Sequence, residues 1–170
     1  VTFMNIIYKL TKSLFLAACI TLILSSMNFA QVANYTFTQT ADTYTPITGG
    51  TVLFSGSFDE NISAAIPIPT FNFDGVDRTS IYVTANGFIT FGTAPTGTNY
   101  TPISSTATYN GAISPFGRDL VNGASGTPEI RYEQIGNEFV VQWQDVRRYN
   151  STGELISFQV RLNSSNNTIK

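Results

Sequence analysis

The stretch that decides the fold is Glu138-Phe139-Val140-Val141-Gln142-Trp143-Gln144-Asp145-Val146. Phe139, Val141 and Trp143 fall on one side of an extended chain, and Gln142 and Gln144 fall on the other. A period of two marks a strand with one buried face. Trp143 shares its face with Phe139 and Val141, so it reads as core rather than as a sugar-stacking platform. Upstream, Ile130 and Tyr132 point in, Glu129, Arg131 and Glu133 point out, and Gly136-Asn137 turns the chain. Downstream, a turn over 149–154 leads to Ile156, Phe158, Val160 and Leu162 on one face, with Ser157, Gln159 and Arg161 on the other. Thr168-Ile169-Lys170 then opens a strand that does not finish, which reads as a fragment of a longer protein.

The earlier part of the chain follows the same logic. Tyr35-Thr36-Phe37-Thr38 and Thr51-Val52-Leu53-Phe54 read as short strands, separated by turn residues at 45–50. Pro67 and Pro69 bracket Ile68, which confines that segment to an edge. Thr70-Phe71-Asn72-Phe73 alternates up to the turn Asp74-Gly75. Ile81, Val83 and Ala85 face inward, Asn86-Gly87 predicts a type I′ hairpin turn, and Ile89 and Phe91 return from it. Residues 92–111 are polar, hold Pro95 and Pro102, and form a long candidate functional loop with one aromatic tucked down. No helical period is found after residue 30. About ten alternating strands predict an all-β fold, an antiparallel, jelly-roll-like β-sandwich over residues 31–170.

Composition narrows the function classes. Hydrophobic residues make up 42% of the chain, enough for a core, whereas charged residues supply 12%, about half the usual globular share. There is no histidine and one cysteine, Cys19. An intramolecular disulfide, a Cys/His zinc site and a serine-histidine triad are all excluded. Without the first thirty residues the chain keeps seven basic and 11 acidic side chains, a net charge near −4. That balance gives no footprint for nucleic acid or anionic lipid.

The first thirty residues have the layout of a secretory signal peptide. Met4 reads as the true start, Lys9 and Lys12 as the positive region, 14–24 as the apolar core, and Ala30 as the small residue before the cut. The apolar run is shorter than the roughly 20 residues of a spanning helix. Leu16-Ala17-Ala18-Cys19 resembles a lipobox, but the run stays apolar past Cys19 where a lipidated protein has a polar tether. Membrane contact is expected only through this segment before its removal. The product is a secreted or cell-surface domain.

Four sequence blocks carry a family resemblance. They are 44–50 (Tyr-Thr-Pro-Ile-Thr-Gly-Gly), 85–89 (Ala-Asn-Gly-Phe-Ile), Ile113-Ser114-Pro115-Phe116 with Arg118-Asp119-Leu120, and Val141-Gln142-Trp143 through Arg147-Arg148-Tyr149. Over 35–170 the chain resembles the N-terminal module of large secreted Bacteroidota surface proteins, and is distantly similar to the extracellular nidogen-like domain. The resemblance implies downstream adhesive domains as partners in the same polypeptide, with type IX secretion. It implies no active site.

Asp59, Glu60 and Asn61 offer the oxygen ligands that Ca2+ prefers, although no Asp-x-Asp-x-Asp-Gly loop is present and a solvated acidic loop has the same composition. No organic cofactor is expected. Tyr82, Tyr100, Tyr109 and Tyr149 occupy outward or loop positions suited to stacking a ligand, as surface tyrosines of sandwiches often do. Arg118-Asp119 reads as an ion pair fixing its loop. No Gly-rich phosphate loop occurs, because 48–51 lacks both the spacing and the lysine. The expected role is that of a non-catalytic module for adhesion, interaction or spacing, contacting glycans or surface proteins. The alternative is a carbohydrate-binding module of a secreted hydrolase.

Overall fold

A computed structural model describes residues 35–104, 106 and 109–170. The expected signal segment, with Cys19, lies outside them. The chain divides into two units, Val1–Phe37 and Thr38–Lys170. Of the first, only 35–37 are described, and they are irregular. The strand expected from Tyr35 therefore does not form: four alternating residues make a strand only when a neighbouring backbone accepts the ladder.

The second unit holds ten strands among the described residues: β1 (Thr51–Ser55), β2 (Ile66–Phe73), β3 (Val76–Val83), β4 (Ile89–Phe91), β5 (Ala112–Ile113), β6 (Leu120–Asn122), β7 (Glu129–Ile135), β8 (Glu138–Arg148), β9 (Ile156–Asn163) and β10 (Thr168–Ile169). They build two antiparallel sheets. One runs β2-β3-β4-β5; the other runs β1-β7-β8-β9-β10, with β6 also on β8. The fold is an all-β sandwich, as the alternation predicts.

Each sheet turns one face to a shared core. Phe71, Phe73, Ile81, Val83, Ile89 and Phe91 come from the first sheet. Ile130, Phe139, Val141, Trp143, Val160 and Leu162 come from the second. Burying each such side chain contributes about 1.5–3 kcal/mol. Trp143 is core, as expected: it is fully buried, stacks on Phe158 at 4.9 Å between ring centroids, and donates its indole N–H to the Thr84 carbonyl at 2.8 Å.

Register irregularities in β2 and β8 shift the phase of the alternation. In β2 the inward residues pass from Ile66 and Ile68 to Phe71 and Phe73, across an irregular register between Pro67 and Phe71. In β8 they pass from Trp143 to Val146, across a bulge where Asp145 takes φ 51°. The Asp145 carbonyl accepts the Gly123 N–H, and its Oδ2 accepts the Thr127 N–H. Beyond the bulge β8 pairs with β6 instead of β7.

The hairpin turns also differ from expectation. Only Gly87 has positive φ at the β3–β4 turn, where the Thr84 N–H reaches the Phe88 carbonyl across three residues. A type I′ turn needs two such residues. That pattern occurs instead at Asp74-Gly75, with φ of 56° and 73°, between the paired Phe73 and Val76.

The outer face of the larger sheet is also partly covered. Gln142, outward by the alternation, is 0% exposed. Irregular chain before β1 lies over it, and Ile47 is buried there. Gln142 Oε1 accepts the Ile47 N–H at 2.8 Å, and its Nε2 donates to the Ile47 carbonyl at 3.2 Å. Gln159 donates to the Thr45 carbonyl and to Gln142 Oε1, and Arg131 to the Gly49 carbonyl. This strap has no ladder of its own, so side chains satisfy its backbone. Gln142→Ala should cost about 1–3 kcal/mol, because the buried Ile47 groups lose their partner. Urea denaturation measures that loss, and limited proteolysis should cut first within 38–48.

Candidate functional site

The loops beyond β3, before β6 and after β8 meet at one end of the sandwich. Residues 58–61 are pinned on both sides. Phe58 is buried; its N–H donates to Asn122 Oδ1 and its carbonyl accepts the Asn122 N–H, both at 3.2 Å. The Asn61 carbonyl accepts the Ala85 N–H at 2.9 Å. Asp59 and Glu60 are thus held between β6 and the β3–β4 turn.

Asn86 ties the neighbouring segments together. It is 1% exposed, and its Nδ2 donates to Glu60 Oε2 and to the Gly97 carbonyl, both at 2.9 Å. Its Oδ1 accepts the Leu120 N–H at 2.9 Å, and its carbonyl accepts the Arg118 N–H. One side chain therefore joins the acidic loop, the 92–111 loop and the start of β6. Gly97 permits the approach, since a Cβ there would sit 2.6 Å from the Glu60 carbonyl oxygen.

The result is a cluster of three acids. Carboxylate oxygens of Asp59, Glu60 and Asp119 lie within 4.8 Å of one another. Asp59 Oδ1 and Asp119 Oδ1 are shut off from solvent without a hydrogen-bond partner. Loss of solvation raises the Asp119 carboxyl above its usual range, and the Asp59 charge adds to this. Loss of solvation likewise raises Glu60, opposed by the Asn86 hydrogen bond and reinforced by Asp59 and Asp119. These oxygens suit a hard cation such as Ca2+. Asn61, grouped with them by sequence, turns its Oδ1 to the Asp59 N–H at 3.1 Å.

The ion pair expected between Arg118 and Asp119 is not among those formed by the described residues. Consecutive residues entering a strand diverge. Asp119 joins the distant acids while the Arg118 residue stays exposed.

Beside the acids opens a cleft of about 340 Å3, lined by Tyr100, Arg118, Asp119, Tyr149 and Ser151 among others. Tyr100 is 39% exposed and Tyr149 is 52% exposed. The Tyr149 N–H donates to the Asp119 carbonyl at 2.9 Å. Arg147 Nη1 donates to the carbonyls of Tyr149 and Ser151 at 2.9 and 2.8 Å, which shapes this rim. Arg148 is held by Glu154 through two hydrogen bonds. Tyr82 lies on β3, away from the lining, and pairs with Thr90. Tyr109 is the tucked aromatic: it packs on Phe88 and bonds Asn99 through its hydroxyl, bracing the long loop. A wider trough of about 850 Å3 runs along the strap, but four of its charges are paired off as Glu138–Arg161 and Asp42–Lys170.

A carboxyl raised in the folded state keeps its proton at pH values where the unfolded chain has lost it. Stability then falls as pH rises through that window, and the cost persists at neutral pH. Asp119→Asn should raise the thermal midpoint by about 2 °C at pH 7. It should leave the midpoint unchanged below the carboxylate range. Thermal melts at the two pH values check both expectations.

No curated protein and no solved structure shows significant similarity to the chain. Residues 34–170 match the family model described as NIDO related. With that match spanning the sandwich and its loop-end cleft, the chain belongs to the NIDO-related, or nidogen-related, family.

Proposed function

We propose that this domain is an extracellular, non-catalytic recognition module of a longer protein, and that the Tyr100–Tyr149 cleft is its ligand-binding face. The observation that carries the reading is the convergence of two exposed tyrosines from separate loops, with Arg118 and Asp119 between polar walls. Exposed rings offer flat apolar faces, while the charged and amide groups beside them fix orientation. Hydroxylated rings of extracellular glycans match that combination. Family membership supports a module of a larger protein, and the leader-like first thirty residues support export. The labelled chain should be retained on an array of cell-surface and matrix glycans. Tyr149→Ala and Tyr100→Ala should each lower retention at least about tenfold, whereas Tyr82→Ala should not. Silence across the array would favour a spacer role.

A second reading concerns the acids. Two inaccessible, unpartnered carboxylate oxygens and a third carboxylate nearby favour a bound divalent cation. Millimolar Ca2+ should raise the thermal midpoint of the chain by several degrees, as expected for a ligand specific to the folded state. Asp119→Asn should abolish that rise. A midpoint indifferent to Ca2+ and Mg2+ would overturn the reading.

A further inference from the structure

The charges lining the cleft differ in whether they are already engaged. Arg148 is committed to Glu154, and Arg147 to backbone carbonyls. Arg118 lines the cleft with no carboxylate partner among the described ion pairs. Its backbone is fixed by the Asn86 carbonyl, so the side chain starts from a defined place. It also borders a groove formed by Phe116, Leu155 and Ile156, which extends the surface past the cleft. Asp119 also lines the cleft, and a carboxylate accepts hydrogen bonds from hydroxyl groups.

We propose that the cleft selects a saccharide carrying a carboxylate, such as a uronic-acid residue, with Arg118 binding the acid group and Tyr149 and Tyr100 flanking the ring. This rests on the glycan-binding reading above and narrows its ligand class. A guanidinium presents a planar fork of donors that matches a carboxylate in two parallel hydrogen bonds. A neutral sugar leaves that fork facing solvent. A densely charged polyanion is disfavoured, because the whole chain has a net charge of −2 and the acidic cluster adjoins the cleft. One uncommitted cation, one acceptor and two aromatic rims fit a hydroxylated ring with a single acid group.

The test is titration calorimetry of the full chain with paired probes: uronate-containing oligosaccharides and the same oligosaccharides with the carboxyl reduced to an alcohol. The acid form should bind at least about tenfold more tightly, since only it can form charge-assisted hydrogen bonds with the guanidinium. Arg118→Gln should erase that difference while keeping the weaker binding to the reduced form, and Arg118→Lys should restore part of it. Tyr149→Ala should weaken both forms. Equal binding of both forms, or an acid preference that survives Arg118→Gln, would overturn the acid selection and leave the glycan reading standing. Binding of neither form, with an acidic peptide bound instead, would overturn both.

Discussion

The indole of Trp143 joins the core to the loop end. It is fully buried in one sheet, stacks on Phe158, and reaches across to the Thr84 carbonyl at the end of the other sheet. A buried carbonyl without a donor costs about 1–3 kcal/mol, so this contact fastens the end of β3 to the opposite sheet. Thr84 opens the turn that carries Ala85, Asn86 and Gly87. Asn86 then collects Glu60, Gly97 and Leu120. The placement of the acids and the cleft is thus traceable, bond by bond, to an aromatic residue of the core.

With one cysteine in the whole chain, no intramolecular disulfide shares this task. Side-chain amides supply much of the fastening instead. Gln142 is satisfied on both ends by Ile47, Gln144 and Gln159. Asn122 Oδ1 accepts the Phe58 N–H, beside the bond from the Asn122 backbone N–H to the Phe58 carbonyl. Amides suit the role because each carries a donor and an acceptor and so can pair with a backbone N–H and C=O at once. A chain poor in formal charge but rich in Asn, Gln, Ser and Thr can hold irregular segments this way without the desolvation penalty of buried ions.

Much of the architecture was legible in the sequence because a period of two is a local signal. Trp143, Ile81, Val83, Ile89, Val160 and Leu162 were assignable to the core from their neighbours alone, and all are buried. What escaped depends on contacts distant along the chain. Gln142 looked exposed because nothing local announces the strap that covers it. Asp119 looked like a partner for Arg118, whereas it meets Asp59, which is remote in sequence. The bulge at Asp145 was hidden because a phase slip leaves composition unchanged. Of four tyrosines chosen for exposure, two meet in one cleft, and proximity between separate loops has no sequence signature.

The prolines of β2 have a consequence for how copies of the molecule behave together. β2 is an outer strand of its sheet, and Pro67 and Pro69 leave it without two of the amide hydrogens that a full-length strand presents. A strand of another copy that tried to zip alongside would find gaps in the rung pattern. Crowded molecules therefore have a built-in obstacle to edge-on fibril growth along this border, independent of how firmly each one is folded.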